Sequence, residues 1–156
     1  MHALLARLRT QLDPTLAVVE AAPEIALEWH PPSGQWSALE NLAHVARHHE
    51  VTIERLGRML AEEAPPLPRY RAEDDPAWRT WQKARKADVL PSLASLRRRL
   101  VDFVTGLDAA CYARVGVHPR FGRMSTADVL DFFLIHEAHH LYVVRLRLAE
   151  ARLALV

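Results

Sequence analysis

Apolar residues recur along the chain at three- and four-residue intervals, and strict apolar/polar alternation is missing. That periodicity predicts helices and no strands. The first apolar stripe covers residues 2–22, with Pro14 bending or breaking the helix after Asp13. A Pro-rich connection, residues 23–36, follows and has room for one short helical turn. The second helix starts at Ser37, where Ser-Ala-Leu-Glu is a capping box, and runs to about Glu63 before Ala-Pro-Pro-Leu-Pro stops it. A short helix is expected near Pro76, around Trp78 and Trp81. The third long helix spans 91–107, with Pro91 in its first turn and Gly106 near its end. After a loop over 108–124, a second capping box, Ser-Thr-Ala-Asp, opens a fourth helix at Ser125 that continues to the C-terminus. Four long helices joined by connections of roughly 15 to 30 residues predict an all-α four-helix bundle with long crossovers rather than a tight up-down-up-down one.

Composition narrows the class. The 156 residues suit a single domain over 1–156. Twenty Lys+Arg against nineteen Asp+Glu give no global attraction to nucleic acid or an anionic membrane. The run Arg97-Arg98-Arg99 reads as a solvated helix face. Cys111 is the sole cysteine, which excludes an intrachain disulfide and a cysteine-based zinc site. The N-terminal segment lacks the apolar core and cleavage site of a signal peptide, and no apolar run is long enough to span a bilayer. A cytoplasmic protein is expected.

Histidines change the picture. Six of the nine fall in two groups, His44, His48 and His49 on the second helix and His136, His139 and His140 on the fourth. At about 100° per residue, His136 and His140 project about 40° apart, and His139 lies off to one side. Val129, Phe132, Phe133, Val143 and Val144 share the face of His136, whereas Asp131, Ala138 and Arg145 lie opposite. Two buried imidazoles one turn apart need partners, and a divalent metal supplies one for both. Core histidines satisfied by carboxylates or backbone are the alternative. For a third ligand the second helix offers three candidates. Its apolar stripe (Leu42, Val45, Ala46, Ile53, Leu56, Leu60) contains His49, while His44 and His48 lie roughly opposite. Periodicity alone selects His49, and the choice stays open at this point.

Longer motifs bear on it. Trp36, Ser37, Glu40, Leu42 and His44 meet a W-S-x-x-E-x-L-x-H pattern. Gly116, His118, Pro119, Gly122, Met124 and Ser125, then His136 and His140, meet G-x-H-P-x-x-G-x-M-[ST] followed by H-x-x-x-H. In order and spacing these resemble the DinB-like, or YfiT-like, metalloprotein superfamily, over about residues 29–147. The resemblance implies an up-down-down-up four-helix bundle with a divalent metal held by His44, His136 and His140. It overrules the helical-wheel choice if the site lies in an open cleft at the side of the bundle. His48 could line that cleft; His49 and His139 would then sit in the core or behind the ligands. One departure is Val143, where many members carry Gln.

Three neutral imidazoles leave a metal's charge uncompensated and a coordination position open, the catalytic pattern. Imidazole suits zinc first and nickel as the main alternative, with copper or iron also compatible. The resemblance implies a low-molecular-weight thiol (bacillithiol, mycothiol or glutathione) transferred to a small electrophile. The alternatives are metal-dependent hydrolysis of a small substrate, or a non-catalytic metal-binding stress-response bundle. A homodimer is a further expectation from the resemblance. Cys111 lies outside the ligand helices and reads as a plain loop or buried cysteine. The stretch His136-Glu137-Ala138-His139-His140 also matches the H-E-x-x-H signature of metalloproteases, with Glu137 as general base. The continuation Leu141-Tyr142-Val143 does not support that reading, and Glu137 is expected behind the ligands or at the surface.

Overall fold

The computed structural model describes residues 2–155. Four long helical units pack side by side. The first is broken into α1 (His2–Thr10) and α2 (Asp13–Ala21), with the break falling just before Asp13 and Pro14 placed in the first turn of α2, where its missing N–H leaves no bond unmade. A single turn, α3 (Glu24–Glu28), lies in the Pro-rich connection. The second long helix is α4 (Ala38–Ala61). A 3₁₀ turn at Ala72–Asp74 and the short α5 (Trp78–Trp81) lead to α6 (Lys86–Thr105), the third. After α7 (Ala109–Ala113), a hairpin of β1 (Val115–His118) and β2 (Gly122–Ser125) feeds the fourth, α8 (Thr126–Ala154). The bundle expected from the periodicity is the one observed. No helix among the described residues is long and apolar enough to cross a membrane.

Both predicted capping boxes form. Glu40 N donates to Ser37 Oγ at 3.1 Å and Ser37 N to Glu40 Oε2 at 2.8 Å. Asp128 N donates to Ser125 Oγ at 3.1 Å and Ser125 N to Asp128 Oδ2 at 2.8 Å. Each box satisfies orphan N–H groups of a first turn and fixes where the helix begins. The start of α6 differs from expectation. It begins at Lys86, so Pro91 sits inside the helix. Ala87 and Pro91 are both exposed, so water can take the carbonyl that the missing N–H leaves free.

The hairpin corrects the expectation of no strands. Val115 pairs with Ser125 and His118 with Gly122, around a turn in which Gly122 holds a φ of +70°. The hairpin docks on residues 65–67: Leu67 N donates to Val117 O at 2.8 Å and Val117 N to Pro65 O at 2.9 Å. At Gly116 a Cβ would meet the Leu67 side chain at 2.6 Å, so only glycine allows the approach. The glycines and histidine of the G-x-H-P-x-x-G motif are therefore the parts of one docked hairpin.

The core is divided in two. One apolar cluster holds Leu12, Leu42, Val45, Leu93, Leu96 and Leu141, and the other holds Leu8, Leu56, Leu100, Phe133 and Leu134. At the seam, all four helical units contribute polar side chains. Glu137 of α8 is fully buried and paired with Arg97 of α6. Gln11, between α1 and α2, donates from Nε2 to Glu137 Oε1 at 2.9 Å and to Leu134 O at 2.8 Å. Arg97 also donates to Leu8 O at 2.7 Å. His49 of α4 donates from Nδ1 to Val45 O at 2.7 Å and sets Nε2 3.6 Å from Glu137 Oε2. Two expectations are corrected here. Arg97 is not on a solvated face, although its neighbours Arg98 and Arg99 are exposed. Glu137 is neither behind the cleft histidines nor at the surface, because it points the other way, into the bundle.

Candidate metal centre

Beside this buried layer, on the outer flank of α4 and α8, three imidazoles converge. His44 Nε2 lies 3.4 Å from His136 Nε2, and His140 Nε2 lies 3.2 Å from the same atom. Ligand atoms of the three residues all fall within 4.8 Å of one another, and no other such group occurs among the described residues. Donors about 2.0–2.1 Å from a zinc ion stand about 3.3 Å apart in a tetrahedron, so the observed separations match a shared metal. They match mutual hydrogen bonding poorly, since each imidazole has a single ring proton when neutral.

Local structure places each ring. The capping box at Ser37 starts α4, and His44 follows two turns later. Asn41, fully within that first stretch, donates from Nδ2 to Ser37 O at 2.8 Å, which orients its amide. Its Oδ1 then accepts from His140 Nδ1 at 2.8 Å. The His140 proton is thereby held on Nδ1, and the Nε2 lone pair faces the cluster. Asn41 is the residue that sequence reasoning missed; its position one turn before His44, just inside a capped helix end, was the available signal. His44 Nδ1 and His136 Nδ1 are buried without a partner, so Asn41 serves one ring of the three. Val143, one turn past His140, contributes no polar group.

Burial lowers the pKa of His44, His136 and His140 to about 3 each, and repulsion from neighbouring histidines adds to it: His140 acts on His44, His44 and His139 on His136, and His136 and His139 on His140. All three rings are neutral near pH 7, the state that a metal requires. Aromatic rings wall the group. Trp36 packs 5.0 Å from His44 and 6.3 Å from His140, and Tyr70 lies 5.8 Å from His44.

The other histidines separate cleanly. His48 lines the same cleft, its ring 4.1 Å from that of His136, outside the converging group. His49 is in the core, as the apolar stripe of α4 indicated. The wheel nevertheless misjudged the opposite face. His44 and His48 are also buried, because Tyr70 and, from α5, Trp78 cover that side. His139 is exposed, which corrects its expected place in the core or behind the ligands. Cys111 is half-buried on α7, away from the cluster. Glu137, the residue a metalloprotease would need as general base, is committed to Arg97 and Gln11 on the far side of α8.

The rings open into a cleft of about 640 Å³, whose wall continues through Tyr70, Phe132, His118 and several arginines. A site of this size takes a small molecule.

The fold and the family follow from comparison. YfiT from Bacillus subtilis, described as a probable metal-dependent hydrolase with an unusual four-helix bundle topology, superposes with a TM-score of 0.69 at 21% identity, covering 98% of this chain and 84% of that one. No protein of curated function matches the chain. The family model of the DinB superfamily matches residues 7–144. The chain belongs to the DinB superfamily.

Proposed function

We propose that the chain is a divalent-metal-dependent enzyme in which His44, His136 and His140 bind the metal through Nε2. The nucleophile would be a low-molecular-weight thiol, transferred to a small electrophile. The observation that carries this reading is the convergence of three neutral Nε2 atoms at 3.2 and 3.4 Å on the wall of an open cleft. A divalent metal held by three uncharged ligands keeps its full charge and an open position, and so supplies a deprotonated thiol or water at neutral pH. Zinc fits this donor set most simply, and nickel is the alternative.

The chain's own residues do the rest. Asn41 fixes the His140 tautomer through Nδ1. Trp36 and Tyr70 pack against the His44 ring and hold it in place. The cleft would hold both reactants next to the three rings, where proximity lowers the barrier to a bimolecular transfer.

A second reading is hydrolysis, with water in place of the thiol. It is favoured by the similarity in fold to YfiT, itself described as a probable metal-dependent hydrolase. Assays with bacillithiol, mycothiol and glutathione against chlorinated and epoxide substrates separate the two. Thiol-dependent turnover that disappears on metal removal is the expected result. Metal-dependent hydrolysis with no turnover by any thiol would reverse the order.

A further inference from the structure

The cleft is strongly basic although the chain as a whole is not. Arg55, Arg69, Arg71 and Arg120 line it, against the single carboxylate of Glu73. Arg71 is within 3.4 Å of Asp74. Among the described residues, Arg55, Arg69 and Arg120 have no carboxylate within ion-pairing distance, whereas Arg7, Arg47, Arg58, Arg85, Arg97 and Arg147 do. Arg55 is also half-buried, and its guanidinium is held by the carbonyl of Pro68. A charge withdrawn from water without a counter-ion is unfavourable unless something else supplies one.

His118 adds a neutral donor. Its Nδ1 accepts from the backbone N–H of Arg120 at 3.2 Å and of Phe121 at 3.3 Å. With Nδ1 used as an acceptor, the ring proton must sit on Nε2, which has no protein partner. The docked hairpin thus delivers a fixed N–H donor and Arg120 to the wall that α4 supplies with Arg55.

The placement along α4 sets the scale. Eleven residues separate His44 from Arg55, which returns the side chain to within about 20° of the same face and about 16 Å along the axis. His48 lies between them on that face. A molecule of several heavy atoms fits between the two ends.

The geometry points to an oxyanion site at the end of the cleft remote from the three histidines. Arg55, Arg69, Arg120 and the Nε2–H of His118 take a carboxylate or phosphate of the small molecule whose reacting atom is presented to His44, His136 and His140. This rests on the reading of the cleft as the reaction site, and it adds the class of reactant: one with an anionic tail. Guanidinium groups suit both oxyanions because their donors pair with two oxygens at once.

Calorimetry on the zinc-loaded protein tests it, with succinate and glycerol 3-phosphate as probes and the uncharged succinamide and glycerol as controls. At least one anion is expected to bind tenfold or more tighter than its neutral counterpart, and to weaken as salt is added. Arg55→Met, and Arg120→Met at an exposed position on the hairpin, should each weaken that binding at least fivefold while zinc content stays unchanged. Which probe binds tighter tells carboxylate from phosphate. In His136→Ala the arginine-dependent binding should persist even though metal is lost, so failure of the metal assignment and failure of the oxyanion site give different results. No preference for the charged probes overturns the proposal. So does binding that vanishes in His136→Ala but survives both arginine substitutions, since the anion would then be held at the metal position.

Discussion

His136 and Glu137 are neighbours on α8 and belong to two different polar clusters. The cleft histidines on one flank converge with lone pairs facing one another. In the layer of Glu137, Arg97, Gln11 and His49 at the seam of the core, the carboxylate takes a guanidinium and an amide as donors, and the His49 ring lies alongside. One cluster turns its Nε2 atoms toward one another and opens to a cleft; in the other the buried carboxylate is paired by protein donors, although His49 Nε2 and Arg97 Nε have no partner. The difference shows how to tell a ligand set from a structural network on the same helices. A structural network closes on protein atoms. A ligand set leaves identical donor atoms pointed at one spot.

The comparison can be broken most forcefully at Glu137. Glu137→Ala leaves Arg97 buried without its carboxylate, and such a loss destabilises by about 3–5 kcal/mol. Urea unfolding should show this, while the folded fraction keeps its metal. A metal-free folded variant would mean that the two clusters are one. Removing Asn41 acts on the other side. Asn41→Ala frees the His140 tautomer and should weaken metal affinity by about 10–100-fold, as loss of a hydrogen bond to a ligand imidazole generally does. Competition with a chelator measures it, and an unchanged affinity would remove Asn41 from the site.

Acid sharpens the contrast further. His49 is neutral in the folded state, its pKa lowered to about 3 by burial and by the Arg97 charge, despite the hydrogen bond to Val45 O that opposes the shift. In the unfolded chain it titrates near 6.5. Between these values the unfolded state binds the extra proton, so stability is fully present above about pH 6.5 and falls as pH drops towards 3. One such group contributes about 1.4 kcal/mol per pH unit. Urea midpoints between pH 7 and 4 should therefore fall more steeply in wild type than in His49→Gln, and equal slopes would count against a neutral His49. The smallest effect is expected at the helix start: Ser37→Ala removes one cap and should destabilise by about 1 kcal/mol.

Much of this was legible in the sequence. Both capping boxes announced the starts of α4 and α8 to the residue, because a cap is a local interaction among four consecutive positions. The pair His136 and His140 followed from helical spacing. What failed was non-local. The centre of the α8 stripe was placed on His136, one residue from the true centre at Glu137, because a buried glutamate only makes sense once Arg97, forty positions away, is known to face it. Four-residue strands such as Val115–His118 are too short to show alternation and form because residues 65–67 receive them. The wheel of α4 gave His49 correctly and could not see that Tyr70 and Trp78, from the connection between α4 and α6, bury the other face, where His44 lies.

The central claim is that His44, His136 and His140 hold one divalent metal. Elemental analysis of the purified protein beside the variant carrying His44→Ala, His136→Ala and His140→Ala tests it most directly. The account predicts about one metal per wild-type chain, consistent with a three-imidazole site, and none in the folded triple variant. A full metal complement retained by that variant would contradict it.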